Sequence, residues 1–272
     1  AEAIDQYNQI DKKSYKWPYI LLEKAWSYYQ IGDYNRTLGL LVTYKYPLLE
    51  SYFFPEADYL SALAYFKLCA YEDSLIIINQ FYEYFRPRFI KLSKQMEDKV
   101  THKTYFYELL LKKNVVKDDD NQFVDKIIRR MKKQLKYSFD LNAIYKIDLE
   151  INRIKQESIH KNELNEKIAH LLLVKENLVQ KINYNVKKDI FLFLNDVPFL
   201  SSELFKMNLE ILSRKKDLIY EKKKIDRSRS RGDLSNVDIK SSEYFWSFNG
   251  SFWADELGDY SMGLKSSCLG DR

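Results

Sequence analysis

The stretch AWSYYQIGDYNRTLGLL, residues 25–41, finds its match 37 positions later in ALAYFKLCAYEDSLIII, residues 62–78, and that match decides the fold. Ala25 aligns with Ala62, Tyr28 with Tyr65, Tyr34 with Tyr71 and Leu38 with Leu75. Upstream, Trp17-Pro18 aligns with Phe54-Pro55; downstream, Leu41 aligns with Ile78 and Tyr44 with Phe81. Each unit, 17–53 and 54–90, reads as a helix, a short turn and a second helix, the turns being Ile31-Gly32-Asp33-Tyr34 and Leu68-Cys69-Ala70-Tyr71. The small Ala25 and Ala62 stand where the two helices of a pair must approach closely, and the aromatics one turn later fill the space between pairs. Such a pair cannot bury its apolar face alone, so the period predicts a stack. Residues 1–13 fit the register one period earlier, with Ile4 and Tyr7 aligned to Leu41 and Tyr44. The expectation is a chain that begins inside a repeat, with a further helix upstream.

Composition agrees with long helices and few connections. The 272 residues include only 7 Gly and 5 Pro, too few for the turns a β-rich fold needs. Tyr (22) and Phe (16) make the apolar surface largely aromatic. The 44 Lys and Arg exceed the 39 acids by a net charge of +5, without the one-sided concentration of a dedicated nucleic-acid binder. The longest apolar runs, such as Leu75 to Ile78, fall far short of the roughly 18 residues that span a bilayer.

Residues 88–138 have helical propensity, broken by the polar stretch Lys112–Asp120. Asp118-Asp119-Asp120 lacks the alternating ligand spacing of a calcium loop and reads as the solvated start of a helix. From 141 a heptad grid takes over: Ile147, Ile151 and Ile154, then Leu164, Ile168, Leu171, Lys175, Leu178 and Ile182. After Asn195-Asp196-Val197-Pro198 a second arm carries Leu204, Ile211, Leu218 and Ile225. Two heptad arms around a proline predict an antiparallel coiled-coil hairpin that reverses near Asn195–Pro198.

Composition shifts at Asp226. DRSRSRGDLSNVDIKSS is a polar linker, in which Arg231-Gly232-Asp233 and three arginines alternating with serine are too short to carry function. Seven aromatics then crowd residues 244–260, with Gly250 and Gly258 as turns. Trp246, Phe248, Trp253, Leu257 and Tyr260 are the candidate docking residues, either onto this chain's own helices or onto another protein. The adjacent Asp255 and Glu256 point different ways and do not make a catalytic pair.

Residues 25–41 resemble the tetratricopeptide repeat: its small–aromatic–Gly-x-Tyr–small–Leu register is present, with Thr37 and Ser74 at the usual Ala of the second helix. Cys69 replaces the turn Gly, and the period is three residues longer than that family's. The tail WSFNGSFWADELGDYSMGLKSSC, residues 246–268, is similar to the C-terminal signature of bacterial tetratricopeptide proteins of the adventurous gliding motility type, as is FPEADYLSALAYFKLCAYEDSL, residues 54–75. Ser251 and Phe252 depart from that signature. The resemblance implies a component of a periplasmic or envelope machine, a reading that a signal peptide or lipoprotein motif ahead of residue 1 would favour, and it supplies no catalytic residue. Two cysteines suit an oxidising compartment, where Cys69 and Cys268 would form a disulfide tying the tail to the second repeat; the alternative is two buried thiols.

The expected fold is therefore all-α: a tetratricopeptide-like helical-repeat solenoid (1–140), a coiled-coil helical hairpin (141–225), a polar linker (226–242) and an aromatic C-terminal docking segment (243–272). No glycine spacing suits a phosphate loop, and His102, His160 and His170 lack ligand partners at metal-binding spacing. The expectation is a non-enzymatic scaffold with no cofactor, metal or small-molecule substrate, holding other proteins through its repeat surface and coil. The alternative is a cytosolic adaptor binding nucleic acid through the Lys-rich helices 126–136 and 215–224.

Overall fold

The structure is a computed structural model that describes residues 2–49, 52, 54–99, 103–111, 119–156, 161–220, 235, 237, 244–266 and 268. Its helices are α1 (Glu2–Asn8), α2 (Trp17–Gln30), α3 (Tyr34–Val42), α4 (Pro55–Lys67), α5 (Tyr71–Lys99), α6 (Tyr105–Leu111), α7 (Asp119–Lys132), α8 (Leu135–Gln156) and α9 (Lys161–Tyr220). The fold is predominantly helical, as the sequence predicts. The exception is a two-residue pair in the tail, where β1 (Trp246–Ser247) runs parallel to β2 (Tyr260–Ser261). No helix is long and apolar enough to cross a membrane among the described residues. The chain divides into two compact units, residues 1–87 with 197–272 and residues 88–196, rather than at the composition boundaries. The divisions fall at Pro87 inside α5 and next to Pro198 inside α9, the places where each helix gives up a backbone hydrogen bond.

In the first unit the 37-residue period is visible atom by atom. Pro18 and Pro55 open α2 and α4, where a missing N–H costs nothing. After α2 the amides of Ile31, Gly32 and Asp33 donate to the carbonyls of Ser27, Tyr29 and Tyr28; after α4 those of Leu68, Cys69 and Ala70 donate to Ala64, Phe66 and Tyr65. The turn requires a left-handed residue, Gly32 at φ 83° and Cys69 at φ 57°. Across each pair, Thr37 Oγ1 lies 3.3 Å from the Ala25 carbonyl and Ser74 Oγ 2.9 Å from that of Ala62. All four residues are fully buried, so a larger side chain at either alanine has nowhere to go. Leu21, Leu22, Tyr28, Leu40, Leu41 and Leu60 share one core cluster with Ile4 of α1, the residue aligned one period upstream.

The last part of α9 belongs to this unit. It runs antiparallel to α5: Tyr82 Oη donates to the Ser201 carbonyl (2.7 Å), Ser74 Oγ meets Met207 Sδ (3.6 Å), and Lys215 pairs with Glu72 (2.5 Å). Val197, Leu200, Leu204, Met207 and Ile211 are buried along its length. The predicted reversal near Asn195–Pro198 is therefore corrected. Helix continues through Pro198, because burial of apolar residues on both sides outweighs the roughly 3 kcal/mol a helical proline costs. The arm bearing Leu204 and Ile211 covers α5 instead of the first heptad arm. The Leu218 side chain and Ile225 lie outside the described residues.

In the second unit α8 and the earlier part of α9 do pair antiparallel, so the chain reverses between those two helices. Lys136 meets Asp189 (2.7 Å), Lys181 meets Asp140 (2.9 Å) and Lys175 meets Asp148 (2.5 Å). Ile144, Ile151, Ile154, Ile182, Val186 and Ile190 are buried, whereas Ile147, Leu164, Ile168, Leu171 and Leu178 are half-buried. Tyr137 is fully buried and donates to Asp189 (2.7 Å); burial and that bond raise its pKa. Asn183 Oδ1 accepts from the amides of Phe106 and Tyr107 (2.9 and 3.2 Å), satisfying the start of α6. Helix α7 begins at Asp119, inside the acidic triplet; Asp118 lies outside the described residues.

Candidate functional site

The tail docks on its own chain, along α3. Asn35 grips it at both ends of its amide: Nδ2 donates to the Leu264 carbonyl (3.0 Å) and Oδ1 accepts from the Leu264 amide (2.7 Å). The Met262 amide donates to the Asn35 carbonyl (3.2 Å), and the Gly258 amide donates to Thr43 Oγ1 (3.2 Å). These bonds satisfy backbone that would otherwise be buried unpaired. At Gly39 the two backbones come together so closely that a Cβ would lie 1.9 Å from the Tyr260 carbonyl oxygen. Gly258, at φ 87°, is held similarly: its Cβ would lie 2.8 Å from the Trp17 ring.

Apolar packing and charge complete the dock. Leu257 and Tyr260 are buried with Val42, against Trp17, Tyr46, Phe248 and Phe252. Phe248 stands edge-on to Tyr260 at 5.3 Å, a favourable aromatic geometry. Tyr260 Oη accepts from the Trp253 amide (2.8 Å), and burial raises its pKa. Arg36, itself buried, pairs with Asp33 (2.5 Å) and lies 4.5 Å from the Phe245 ring centroid. Lys12 bridges to Asp259 (2.6 Å) and to the Asp255 carbonyl (2.9 Å).

Cys69 and Cys268 are joined, with an Sγ–Sγ distance of 2.07 Å and Cα atoms 5.1 Å apart. The bridge links the turn of the second helix pair to the end of the tail, where Met262 and Leu264 also pack in a cluster with Leu38 of the first pair and Ala64 and Leu68 of the second. Of the candidate docking residues, Leu257 and Tyr260 are buried and Phe248 is half-buried. Trp246 and Trp253 are not docked: they are 51% and 60% exposed. Successive residues of an extended segment point to opposite faces, so seating Phe245 on Arg36 turns Trp246 outward. Asn35, Arg36, Gly39 and Thr43 are the receiving residues that the sequence reading missed. Only Gly39 carried a signal, as a glycine in a helix interior where the second repeat has Ile76; it is destabilising there by roughly 0.5–1 kcal/mol unless something needs the space.

A second feature lies on α2 and α4. Trp26 stands 5.7 Å from Tyr29 and 6.3 Å from Tyr59, and its Nε1 donates to Glu56 (2.8 Å). These rings are half-buried, exposing amphipathic faces in a row across both helices. Burial, then Tyr34 and Tyr59, push the Tyr29 hydroxyl up to about 12. Burial and then Glu203 raise that of Tyr59, opposed by Lys206. The row is neutral across the physiological range, a donor and stacking surface rather than an acid–base site. Among the described residues no group of three or more His, Cys, Asp or Glu is placed to hold a metal ion.

The fold and site define a predominantly helical protein whose aromatic tail is bridged back onto its own repeated helix pairs. No protein-family model matches the chain, no curated protein is significantly similar to it, and no solved structure shares its fold at a significant level.

Proposed function

We propose that this chain is a non-enzymatic tetratricopeptide-like scaffold of a bacterial cell-envelope assembly, of the gliding-motility type, that holds other proteins on its repeat surface. The observation that carries the reading is the row Trp26, Tyr29 and Tyr59, with Glu56 as its polar partner, on the first helices of both pairs. Half-buried Trp and Tyr offer large contact area at little entropic cost, the composition favoured at interface centres. The Cys69–Cys268 bridge supports the envelope, since disulfides persist in oxidising compartments. Two cations of the Lys-rich helices, Lys136 and Lys215, are engaged by Asp189 and Glu72, which speaks against a phosphate-binding face.

The test is a photo-crosslinking residue placed at Tyr59 and, separately, at the exposed Tyr145 of the other unit, in living cells. Discrete protein adducts from position 59, lost on Trp26→Ala, are the expected result. Adducts equal at both positions, or nucleic acid as the main adduct, would overturn the reading.

A further inference from the structure

Two apolar stripes run along the last part of α9. The first, Val197, Leu200, Leu204, Met207 and Ile211, is the buried one described above. The second, Phe205, Leu209, Leu212 and Ile219, follows the same alternation of four and three, with Lys216 as its one polar position. Those four apolar residues are 51–65% exposed. At 3.6 residues per turn the stripes stand roughly 110° apart around the helix. Glu203 and Lys206, which act on Tyr59 of α4, lie on a different side, so the second stripe points away from α4.

We propose that this stripe is a homodimer seam, in which α9 of one copy packs antiparallel against α9 of a second. Three observations single out that occupant. Helix α9 lies antiparallel to α5, and a two-fold axis across α9 supplies the next antiparallel helix without further design. The spacing is that of a coiled-coil seam and is self-complementary. With the axis between Leu209 and Leu212, each Leu209 meets Leu212 of the second copy, and each Lys216 meets Phe205. The first contact is apolar and the second a cation over a ring; one polar seam position is a known means of fixing register. At the flanks Lys206 then faces Ser213 and Asn208 faces Lys215, so no like charges meet. Residues 221–233, which follow α9 in the sequence, contain one aliphatic residue, Ile225, among six cations, a composition unsuited to an apolar seam. This inference concerns a different face from the aromatic row and stands independently of it.

The experiment is light scattering of the full oxidised chain at about 50 µM, a concentration suited to a seam near the ~1,000 Å² lower limit of specific interfaces. Twice 32.7 kDa is expected, falling to 32.7 kDa for Leu209→Glu/Leu212→Glu with its helical circular dichroism retained. Register is read by mixing Leu209→Cys with Leu212→Cys protein: mild oxidation should yield a covalent dimer faster in the mixture than in either alone. A wild-type monomer overturns the proposal, as does a dimer that survives the double substitution or shows no preference for the mixture. A variant that loses its helical signal would show that the chain itself covers the stripe, and also overturns it.

Discussion

Gly39 and Tyr260 are in backbone contact: the Tyr260 carbonyl oxygen occupies the place of a Cβ on Gly39. Two opposing expectations follow for one methyl group. Helix propensity alone predicts that Gly39→Ala strengthens α3 by about 1 kcal/mol. The contact predicts the reverse, because overpacking against backbone costs about 1–3 kcal/mol and the tail must move. Urea unfolding of the oxidised protein decides by sign, and faster proteolysis within 244–266 should accompany the loss. A stabilised Gly39→Ala protein would mean that the tail does not lie on α3.

Cys69 holds the left-handed position that Gly32 holds in the first repeat. In a Cys268→Ser background, Cys69→Gly should therefore be more stable than Cys69→Ala by about 1 kcal/mol, the usual penalty of a side chain in that conformation. Paired denaturation curves check it. Equal stabilities would show that the turn is not left-handed at this position.

Asp58 stands in α4 where the first repeat has the core residue Leu21, and burial pushes its carboxyl up to about 6, with Lys45 opposing. A carboxyl raised above its unfolded value favours the folded state in its protonated form. Stability is therefore full below about pH 4 for this group and falls as pH rises through about 6, by at most about 3 kcal/mol. Asp58→Asn should remove that slope and be the more stable protein at pH 7. A variant with an unchanged pH profile would show that Asp58 ionises freely.

The repeat was legible because close packing dictates residue size: Ala25 and Ala62 can be nothing larger, and the 37-residue spacing follows from them. The polar residues Thr37 and Ser74 fit the same register, and the structure places both against the alanine carbonyls. The hairpin was misplaced because proline marks a weak point in a helix rather than its end. What outweighs Pro198 is the burial of Leu204 and Ile211 beneath α5, a tertiary fact with no local sign. The heptad grid fixed the stripe on α9 while leaving its partner open. At the tail, composition showed that apolar surface needed covering but not which rings face inward. That choice depends on strand alternation and on Arg36 and Asn35, ordinary polar residues until Phe245 and Leu264 arrive beside them.

The most direct test is mass spectrometry of the protein taken from its native cells, with free thiols blocked before denaturation. The chain closed between Cys69 and Cys268 is long, and removing such a bridge should cost roughly 2–5 kcal/mol, so it also stabilises the docked tail against unfolding. The prediction is a linked Cys69–Cys268 peptide with neither cysteine labelled. Two labelled cysteines would contradict the bridged tail, and with it the proposed placement of this chain in an oxidising envelope.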